Sequence, residues 1–364
     1  YSAYLLFVTC VRKCKTFVPI DNQPKAPFMR QIKLSNPGGL KNLQLVQSPK
    51  PSPGEGQILI KVFASSLNYH DLLVALGRIP TQDGRVILTD CAGAIEEVGH
   101  GVNKWQAGDQ VISCCYPNWI DGEPIAENLS FIGDNEDGYS TEYIVISQDS
   151  VTRMPSGWSM AEAATLPCAG LTAWRALVDR GNLKSGETVL IQGTGGVSIF
   201  ALQLAKSMGA KVIATSSSAE KMDKLLSLGA DEVINYKEEP AWGKAALAKT
   251  NGLGVDHVIE VGGGGTFGES IRAVKMGGHI ALIGVLSGPA VSEIILPRIF
   301  MKQINLSGIA MANQQSQLAM VDYLDNSDIR PIISDSFDLA DLGAAFQHQI
   351  DNKHFGKISI SIND

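Results

Sequence analysis

Residues 188–198 read Thr188-Val-Leu-Ile-Gln-Gly193-Thr194-Gly195-Gly196-Val197-Ser198, and they decide the fold of this chain. An apolar strand leads into a glycine-rich turn and then a helix, which is how proteins hold a dinucleotide pyrophosphate. The first glycine permits the tight turn, the second lets phosphates approach the backbone, and the helix N-terminus offers unpaired N–H groups. A nicotinamide cofactor is therefore predicted at Gly193, Thr194, Gly195, Gly196 and Val197.

The residues after this turn complete a β-α-β unit. Apolar side chains recur at helical spacing from Val197 to Met208, and Lys211-Val-Ile-Ala-Thr215 is a β-branched run of strand length. Ser198 stands where the dinucleotide-binding pattern has its third glycine, and a residue this small still lets helix and strand pack closely. The alternative is a glycine-bearing loop in another kind of α/β protein.

Strand-like and helix-like segments continue to alternate along the chain. We predict helices over 219–228 and 267–276, and strands over 232–235, 255–261 and 278–285. This alternation is typical of an α/β, Rossmann-type doubly wound parallel sheet, which binds its ligand at the carboxyl ends of the strands. Gly262 and Gly284 fall at those ends, where the backbone must approach a flat ligand.

The end of the second strand of this unit indicates which cofactor binds. An Asp or Glu there would bond the ribose hydroxyls of NAD(H), but the sequence has Ser216, Ser217 and Ser218, followed by Lys221. Hydroxyl and ammonium donors favour a 2′-phosphate, so we expect NADP(H) rather than NAD(H). The alternative for Lys221 is a solvated position on the next helix. Tyr236, after the third strand, is a candidate to cover the adenine ribose.

The rest of the chain has a different character. Short β-rich runs at 57–63, 93–99 and 143–146 are punctuated by Pro and Gly, and another strand-like run occurs at 356–361. Such runs predict an antiparallel, barrel-like domain.

The length of the chain favours two domains, one inserted into the other. We expect a β-rich catalytic domain of residues 29–165 and 306–364, and a dinucleotide-binding domain of residues 166–305. Residues 1–28 are expected to lie outside this fold. They are either an organelle transit peptide or translated upstream sequence, with Met29 as the true start.

Several short motifs occur in a characteristic order. They are Ala92-Gly93 with Glu97-Val-Gly99, Gly108-Asp109-Gln-Val111, Ala163-Ala-Thr-Leu-Pro167, Leu171-Thr-Ala-Trp174, Gly186 and the Gly193–Val197 turn. In this order the chain resembles the medium-chain dehydrogenase/reductase superfamily, and within it the zinc-free quinone oxidoreductase-like members. The resemblance implies a GroES-like catalytic domain, a Rossmann domain, an active-site cleft between them, and a homodimer or homotetramer. It also implies that Thr172 contacts the nicotinamide side and that Lys357 lies near the cofactor phosphates.

The resemblance also bears on metal binding. Zinc-dependent members hold a catalytic zinc with Cys, His and Cys, and the matching positions here are Asn68, Thr89 and Cys168. A catalytic zinc needs three protein ligands, so we expect none in this chain. Cys168 is then a small residue lining the cleft.

Without a Lewis acid, hydride must go to an acceptor that needs less polarisation. A quinone or an α,β-unsaturated carbonyl qualifies, because the enolate left by hydride addition can be held by hydrogen-bond donors. Asn68 is the candidate donor, and Tyr69 or His70 could supply a proton. The alternative for His70 is a mutually hydrogen-bonded structural pair with Asp71.

A Gly/Asp/Asn-rich insertion over 116–138 carries Tyr116, Trp119 and Phe131. These aromatic residues either form a wall or lid of the acceptor pocket or fix the insertion to the core. The sequence does not identify the acceptor, because the pocket depends on how this insertion folds.

The composition excludes several classes of partner. A net charge of −7 argues against nucleic acid or an anionic membrane, and no run is apolar and long enough to cross a bilayer. Six Cys at unpaired spacings suggest reduced thiols and a cytoplasmic setting. Three functions remain open: an NADPH-dependent quinone or enone reductase, a zinc-free alcohol or aldehyde dehydrogenase, and a non-catalytic NADPH-binding module.

Overall fold

The computed structural model describes residues 27–290, 294 and 296–363 of the chain. Its strands are β1 (Phe28–Leu34), β2 (Leu43–Pro49), β3 (Gln57–Ser66), β4 (Arg85–Val86), β5 (Ala92–Val98), β6 (Gln110–Ser113), β7 (Tyr143–Ser147), β8 (Val151–Arg153), β9 (Thr188–Gln192), β10 (Lys211–Ser216), β11 (Glu232–Asn235), β12 (Val255–Glu260), β13 (Val274–Leu282), β14 (Asn305–Gly308), β15 (Ile333–Asp338) and β16 (Lys357–Ser361). Its α-helices are α1 (Tyr69–Ala75), α2 (Met160–Ala163), α3 (Leu171–Trp174), α4 (Gly196–Ser207), α5 (Ala219–Ser227), α6 (Trp242–Lys249), α7 (Phe267–Ala273), α8 (Leu296–Met301), α9 (Gln314–Asp325) and α10 (Leu342–Ile350).

The predicted N-terminal extension falls almost entirely outside the described residues. Only Pro27 and Phe28 of the predicted range 1–28 are described, and Phe28 begins β1 by pairing with Pro49 of β2. The first strand therefore includes the last residue of the range that we expected to lie outside the fold.

Six strands form a parallel sheet in the order β11-β10-β9-β12-β13-β14. Its central strand β9 is fully buried at Val189, Leu190 and Ile191, as expected for a strand with helices on both faces. The predicted doubly wound sheet is confirmed. The helix predicted over 267–276 is too long, because the buried Val274 already pairs with β12 and begins β13.

The second body is β-rich. Seven strands form a mainly antiparallel sheet in the order β15-β16-β3-β5-β6-β8, with β7 paired to β3, and a smaller sheet has the order β2-β1-β4. The last strand, β16, pairs with β3, although all strands of the parallel sheet lie between these two in the sequence. The Rossmann unit is therefore an insertion in the β-rich unit. The domain limits remain a prediction; β14 ends at Gly308, beyond the expected limit at residue 305.

A broken helix from Met160 to Asp179 connects the two bodies. Its α2 segment packs on β3 and β5 of the β-rich sheet, whereas α3 packs on α4 and α9. Two π-helical turns, Leu166–Gly170 and Arg175–Asp179, flank α3. Such turns often occur at functional sites, and here they bring Cys168, Thr172 and Arg175 to the region between the sheets.

The parallel sheet ends at β14, whose outer edge pairs with no strand among the described residues. Leu282, Phe300, Met301 and Leu306 are all exposed near this edge. Within the described ranges, no helix has both the length and the apolar character needed to span a bilayer.

Candidate active site

The glycine-rich turn has the geometry expected of a pyrophosphate-binding turn. Gly193 has a φ of +69°, in the left-handed region that favours glycine, and its N–H donates to the Thr215 carbonyl at 2.8 Å. The buried Ser198 hydroxyl donates to the Gln192 carbonyl at 2.7 Å, so this serine ties the start of α4 back to β9. The unpaired N–H groups of α4 therefore face the carboxyl edge of the sheet.

The two glycines that follow are required for different reasons. A Cβ added at Gly195 would meet no atom within 4 Å, so Gly195 leaves open space above the turn. A Cβ added at Gly196 would lie 2.6 Å from Lys357 Cδ and 3.1 Å from Ala169 Cβ. The adjacent Thr194 carbonyl accepts a hydrogen bond from Gly356 at 2.8 Å, so the turn also contacts the segment that leads into β16.

A buried glutamate organises the neighbouring strand ends. Glu260 is fully buried at the end of β12, and one of its oxygens accepts the N–H groups of Gly262 and Gly263, both at 2.9 Å. Its other oxygen accepts the Gln192 side-chain amide at 2.7 Å. The Gly284 N–H donates to the Glu260 carbonyl at 3.2 Å, so both predicted cofactor-side glycines lie around one residue.

The predicted adenosine-side residues also lie together. Ser216 ends β10, Ser217 follows it, and the Ser218 hydroxyl caps α5 by accepting the N–H of Lys221 at 3.4 Å. Tyr236 is exposed beside them, and its N–H donates to the Ser216 carbonyl at 3.1 Å.

The Lys221 ammonium does not project into solvent. It donates to the carbonyl oxygens of Asn352 at 2.9 Å and His354 at 2.8 Å. Burial, together with Lys221 and Lys357, lowers the pKa of His354 to about 4, so this imidazole is neutral at pH 7. The loop before β16 thus closes over the first turn of α5.

A buried ion pair lies between the glycine-rich turn and α1. The Lys357 side chain is 3% exposed, and its ammonium donates to the Leu67 carbonyl at 2.7 Å and to Asn68 Oδ1 at 2.6 Å, with Asp90 Oδ2 at 3.4 Å. Asn68 Nδ2 donates to Asp90 at 2.8 Å, and the Cys168 N–H donates to the other Asp90 oxygen at 3.0 Å. The Asn68 amide is therefore occupied by protein partners on both sides.

A second carboxyl group, Asp71, is buried beside this pair. It accepts the Asn68 N–H at 2.9 Å, which caps α1, and the Thr89 hydroxyl at 2.8 Å. Burial, and then the charge of Asp90, raises the pKa of Asp71 from 3.8 to about 6.

The expected alternative pairing of His70 with Asp71 is not formed. His70 Nε2 lies 2.9 Å from Asp134 Oδ2, in the insertion, because the Asp71 carboxyl is turned inward to Asn68 and Thr89. Tyr69 is partly buried against the core of the β-rich body. His70 and Tyr69 therefore lie on the same turn of α1 as Asp71 but in different surroundings.

The insertion contributes a row of aromatic rings. The ring centroids of His70 and Phe131 are 4.3 Å apart, those of Phe131 and Tyr116 5.2 Å, and those of Tyr116 and Trp119 6.0 Å. Trp119 and Phe131 are buried, so they fix the insertion to the core, while Tyr116 and Trp119 also line an open pocket of about 360 Å³. The far side of this pocket is formed by Arg175 and the ends of β13 and β14.

Two families of known proteins match this chain, one in the β-rich unit and one mainly in the Rossmann unit. Residues 54–156 match the family described as alcohol dehydrogenase GroES-like domain, and residues 196–326 match the family described as zinc-binding dehydrogenase. A zinc-type alcohol dehydrogenase-like protein of Schizosaccharomyces pombe is 38% identical over 322 residues, which are 86% of this chain and 92% of the relative. This chain belongs to the medium-chain dehydrogenase/reductase superfamily.

Two more members are similar over nearly their whole length. An acryloyl-coenzyme A reductase of Sulfurisphaera tokodaii is 31% identical over 336 residues, which are 89% of this chain and 98% of the relative. The crystal structure of a putative alcohol dehydrogenase from Sinorhizobium meliloti superposes with a TM-score of 0.86 at 36% identity, covering 92% of this chain and 98% of that one. The chain is accordingly an NAD(P)-dependent oxidoreductase that acts on a small molecule.

Some medium-chain dehydrogenases/reductases hold zinc, so we asked whether these residues fit the metal. Zinc prefers thiolate, imidazole and carboxylate ligands. Asn68 and Thr89 supply an amide and a hydroxyl that are bonded to Asp90 and Asp71, leaving Cys168 as one suitable ligand of the three matching positions. No group of three or more His, Cys, Asp or Glu side chains in the described part of the chain is arranged for a metal ion. The three matching positions therefore do not supply the three ligands that a catalytic zinc needs.

Sequence reasoning missed three residues of this medium-chain dehydrogenase/reductase cleft. Asp90 links Asn68, Cys168 and Lys357, and Glu260 organises the strand ends, yet each is a single acidic residue without a spacing pattern. Arg175 lines the pocket and follows directly after the Leu171–Trp174 motif, a signal that could have drawn attention to it.

Proposed function

We propose that this chain is a zinc-independent, NADPH-dependent reductase that transfers hydride to a conjugated carbonyl compound, either a quinone or an α,β-unsaturated carbonyl. One observation carries the proposal. Where zinc-dependent relatives need metal ligands, Asn68 and Thr89 are hydrogen-bonded to buried carboxylates, and the Lys357 ammonium is buried against Asn68 and Asp90. An amide and a hydroxyl held in this way are not the thiolate and imidazole ligands that a catalytic zinc needs.

The preference for NADP(H) rests on the end of β10. Ser216, Ser217 and Ser218 place hydroxyl groups there, and the first acidic side chain that follows, Glu220, is paired with Lys224 at 2.7 Å. Lys221 lies in the same turn of α5. A 2′-phosphate would meet donors and a cation at this position rather than a free carboxylate. Gly193, Thr194, Gly195, Gly196 and Val197 supply the pyrophosphate turn in this proposal, with Tyr236, Gly262 and Gly284 around the rest of the cofactor.

When bound, the nicotinamide supplies hydride to the conjugated carbon of the acceptor, and the electron pair of the C=C bond moves to the carbonyl oxygen. The chain must then hold an enolate oxygen and deliver a proton. Burial raises the pKa of Tyr116 to about 12, so its hydroxyl stays protonated and can donate at neutral pH. The Thr172 hydroxyl, on α3, is a second donor with no side-chain partner among the described residues.

Asn68 has a positioning role in this proposal. Its amide donates to Asp90 and accepts from Lys357, so it orients the buried ammonium beside the cofactor turn instead of donating to the enolate. Tyr69 and His70 remain alternative proton sources, since both lie in the first turn of α1 beside Asn68.

The conjugated acceptor has support from one relative. The Sulfurisphaera tokodaii relative is an acryloyl-coenzyme A reductase, and an acryloyl thioester has a C=C bond conjugated with a carbonyl. A simple alcohol or aldehyde is the second candidate substrate, favoured by the His70–Asp134 pair, which could act as an acid/base group.

The test is NADPH oxidation by chelator-treated protein with quinones, enones and simple aldehydes, with NADH in parallel. Turnover of conjugated acceptors with NADPH preferred supports the proposal. Activity on aldehydes alone, or activity that returns only when zinc is added, contradicts it. Tyr116→Phe and Tyr143→Phe are matched variants, each lacking one hydroxyl, and Tyr143 lies on β7 and does not line the pocket. We expect kcat on an enone to fall roughly 100-fold in Tyr116→Phe and to change little in Tyr143→Phe.

A further inference from the structure

Arg175 is a buried cation without an anionic partner. It is 6% exposed, and one of its terminal nitrogens donates to the carbonyl oxygens of Met311 at 2.7 Å and Ala310 at 3.4 Å. The guanidinium carbon lies 4.7 Å above the Trp119 ring. Among the described residues, no carboxylate lies within salt-bridge distance of it, and its other N–H groups have no hydrogen-bond acceptor.

Asp179 and Glu123, the acidic side chains whose charges act on Arg175, are bonded to other groups. Asp179 accepts the Ser316 hydroxyl, and Glu123 pairs with Arg180 at 2.5 Å. Burial, and then the like charge of Arg180, lowers the pKa of Arg175. A guanidinium nevertheless stays charged in proteins, so the protein holds a positive charge here that its own residues do not neutralise. Burying such a charge is costly unless a partner arrives.

The position of Arg175 suggests what that partner is. The guanidinium lines the pocket of about 360 Å³ together with Tyr116 and Trp119. The aromatic row links this pocket to His70, which follows Asn68 and Tyr69 at the start of α1. Arg175 also lies one helical turn from Thr172. The pocket therefore adjoins residues proposed for hydride transfer, and it carries a cation on its wall.

We propose that Arg175 binds an oxyanion carried by the acceptor, a carboxylate or a phosphate, and so selects anionic conjugated carbonyl compounds over neutral ones. The planar guanidinium suits either oxyanion, because it can offer two parallel N–H donors. This inference rests on the proposed function for the identity of the reacting group, but the recognition of the anion depends on the pocket alone.

Two matched pairs of acceptors test it. The first is 4-oxo-2-pentenoate and its methyl ester, which differ by a carboxylate. The second is crotonyl-phosphopantetheine and crotonyl-pantetheine, which differ by a phosphate. We expect the wild-type protein to prefer the anionic member of at least one pair in kcat/KM by roughly 10- to 100-fold, the range of a hydrogen bond to a charged group. The pair that shows the preference identifies which oxyanion the pocket accepts.

Three variants assign the preference to Arg175. Arg175→Gln should remove it, mainly through a higher KM for the anionic member, and Arg175→Lys should keep part of it. Arg330→Gln removes the same charge from an exposed arginine that stacks on Trp158 and does not line this pocket, and it should leave the preference intact. NADPH binding, followed by fluorescence, and the circular dichroism spectrum report whether each variant is folded. If Arg175→Gln does not fold, the inference is still tested by two results: the preference of the wild type for the anionic member, and the partial loss of that preference in Arg175→Lys.

Calorimetric titration separates this inference from the proposed function. The NADP⁺-loaded protein is titrated with both members of each pair, so that binding is measured without turnover. Tighter binding of an anionic member that depends on Arg175 supports the inference even when no acceptor is reduced, and that result contradicts only the proposed function. Equal affinity for both members of both pairs, or a preference that survives in Arg175→Gln, overturns the inference.

Discussion

Two adjacent glycines give a sharp test of how the cofactor turn is built. An alanine Cβ at position 196 would lie 2.6 Å from Lys357 Cδ, closer than real Cβ contacts allow, whereas one at position 195 would meet no protein atom within 4 Å. Gly196→Ala should therefore disturb the protein itself. Gly195→Ala should disturb only the complex, because its Cβ enters the space where phosphates approach the backbone.

The size of the first effect follows from how Lys357 is held. Its ammonium is fixed by Leu67, Asn68 and Asp90, so the middle of the side chain cannot swing away without breaking buried hydrogen bonds. Overpacking of this kind costs about 1–3 kcal/mol. The backbone at Gly195 is extended, with a φ of −77°, so alanine should change the stability of the cofactor-free protein by less than about 0.5 kcal/mol.

Urea unfolding of the cofactor-free proteins measures the stability, and fluorescence titration with NADPH measures the binding. We expect Gly196→Ala to lower the unfolding midpoint and Gly195→Ala to keep it while weakening NADPH binding at least roughly tenfold. An unchanged midpoint for Gly196→Ala would show that Lys357 is not held as described. Unchanged NADPH affinity for Gly195→Ala would show that the pyrophosphate does not bind at this turn.

Three further substitutions test other features. Folding raises the pKa of Asp71 from 3.8 to about 6, so the folded protein holds this proton more tightly than the unfolded chain. The resulting stability is fully present below pH 3.8 and is lost as the pH rises to about 6. The free energy of unfolding of Asp71→Asn relative to wild type should rise by about 2 kcal/mol between pH 4 and pH 7. A difference that does not change over this range would contradict the raised pKa. Lys221→Gln should raise the KM for NADPH roughly fivefold to tenfold and leave that for NADH unchanged, whereas Lys244→Gln, at an exposed position on α6, should affect neither. Equal effects of Lys221→Gln on both cofactors would refute the role of Lys221. Leu306→Lys, on the exposed edge of β14, should lower the oligomeric state of the expected homodimer or homotetramer in analytical ultracentrifugation, because open apolar strand edges promote pairing with a second copy. A monomeric wild type contradicts the expectation.

Much of the fold could be predicted because its signals are local. The turn from Gly193 to Val197 and the alternation of strand and helix segments after it depend on neighbouring residues, so periodicity was enough. The helix predicted over 267–276 is too long because Val274, an apolar residue, fits both the helical pattern and the strand pattern. Only the pairing of Val274 with Val255, which is a tertiary contact, decides for the strand.

The candidate site could be predicted only where a motif marks it. Asn68 was found through the resemblance, but its partners Asp90 and Lys357 come from distant parts of the chain, and Lys357 is 289 residues away. Arg175 was missed for a similar reason. Its place after the Leu171–Trp174 motif is a sequence signal, but its missing ion-pair partner is a tertiary property. It is visible only in the structure, where Asp179 and Glu123 are bonded to other groups.

The charges around the cleft indicate on which side the enolate oxygen of the proposed reaction can be stabilised. The α1 side carries Asp71 and Asp90 with one fixed cation, Lys357, and the raised pKa of Asp71 reflects that burial and Asp90 already disfavour a second negative charge there. An enolate forming on that side would meet the same repulsion. The pocket lined by Tyr116 and Arg175 offers instead a neutral hydroxyl and a positive charge without an ion-pair partner among the described residues. Because preorganised donors and cations stabilise developing charge, the carbonyl oxygen of the acceptor should point to Tyr116, away from Asn68.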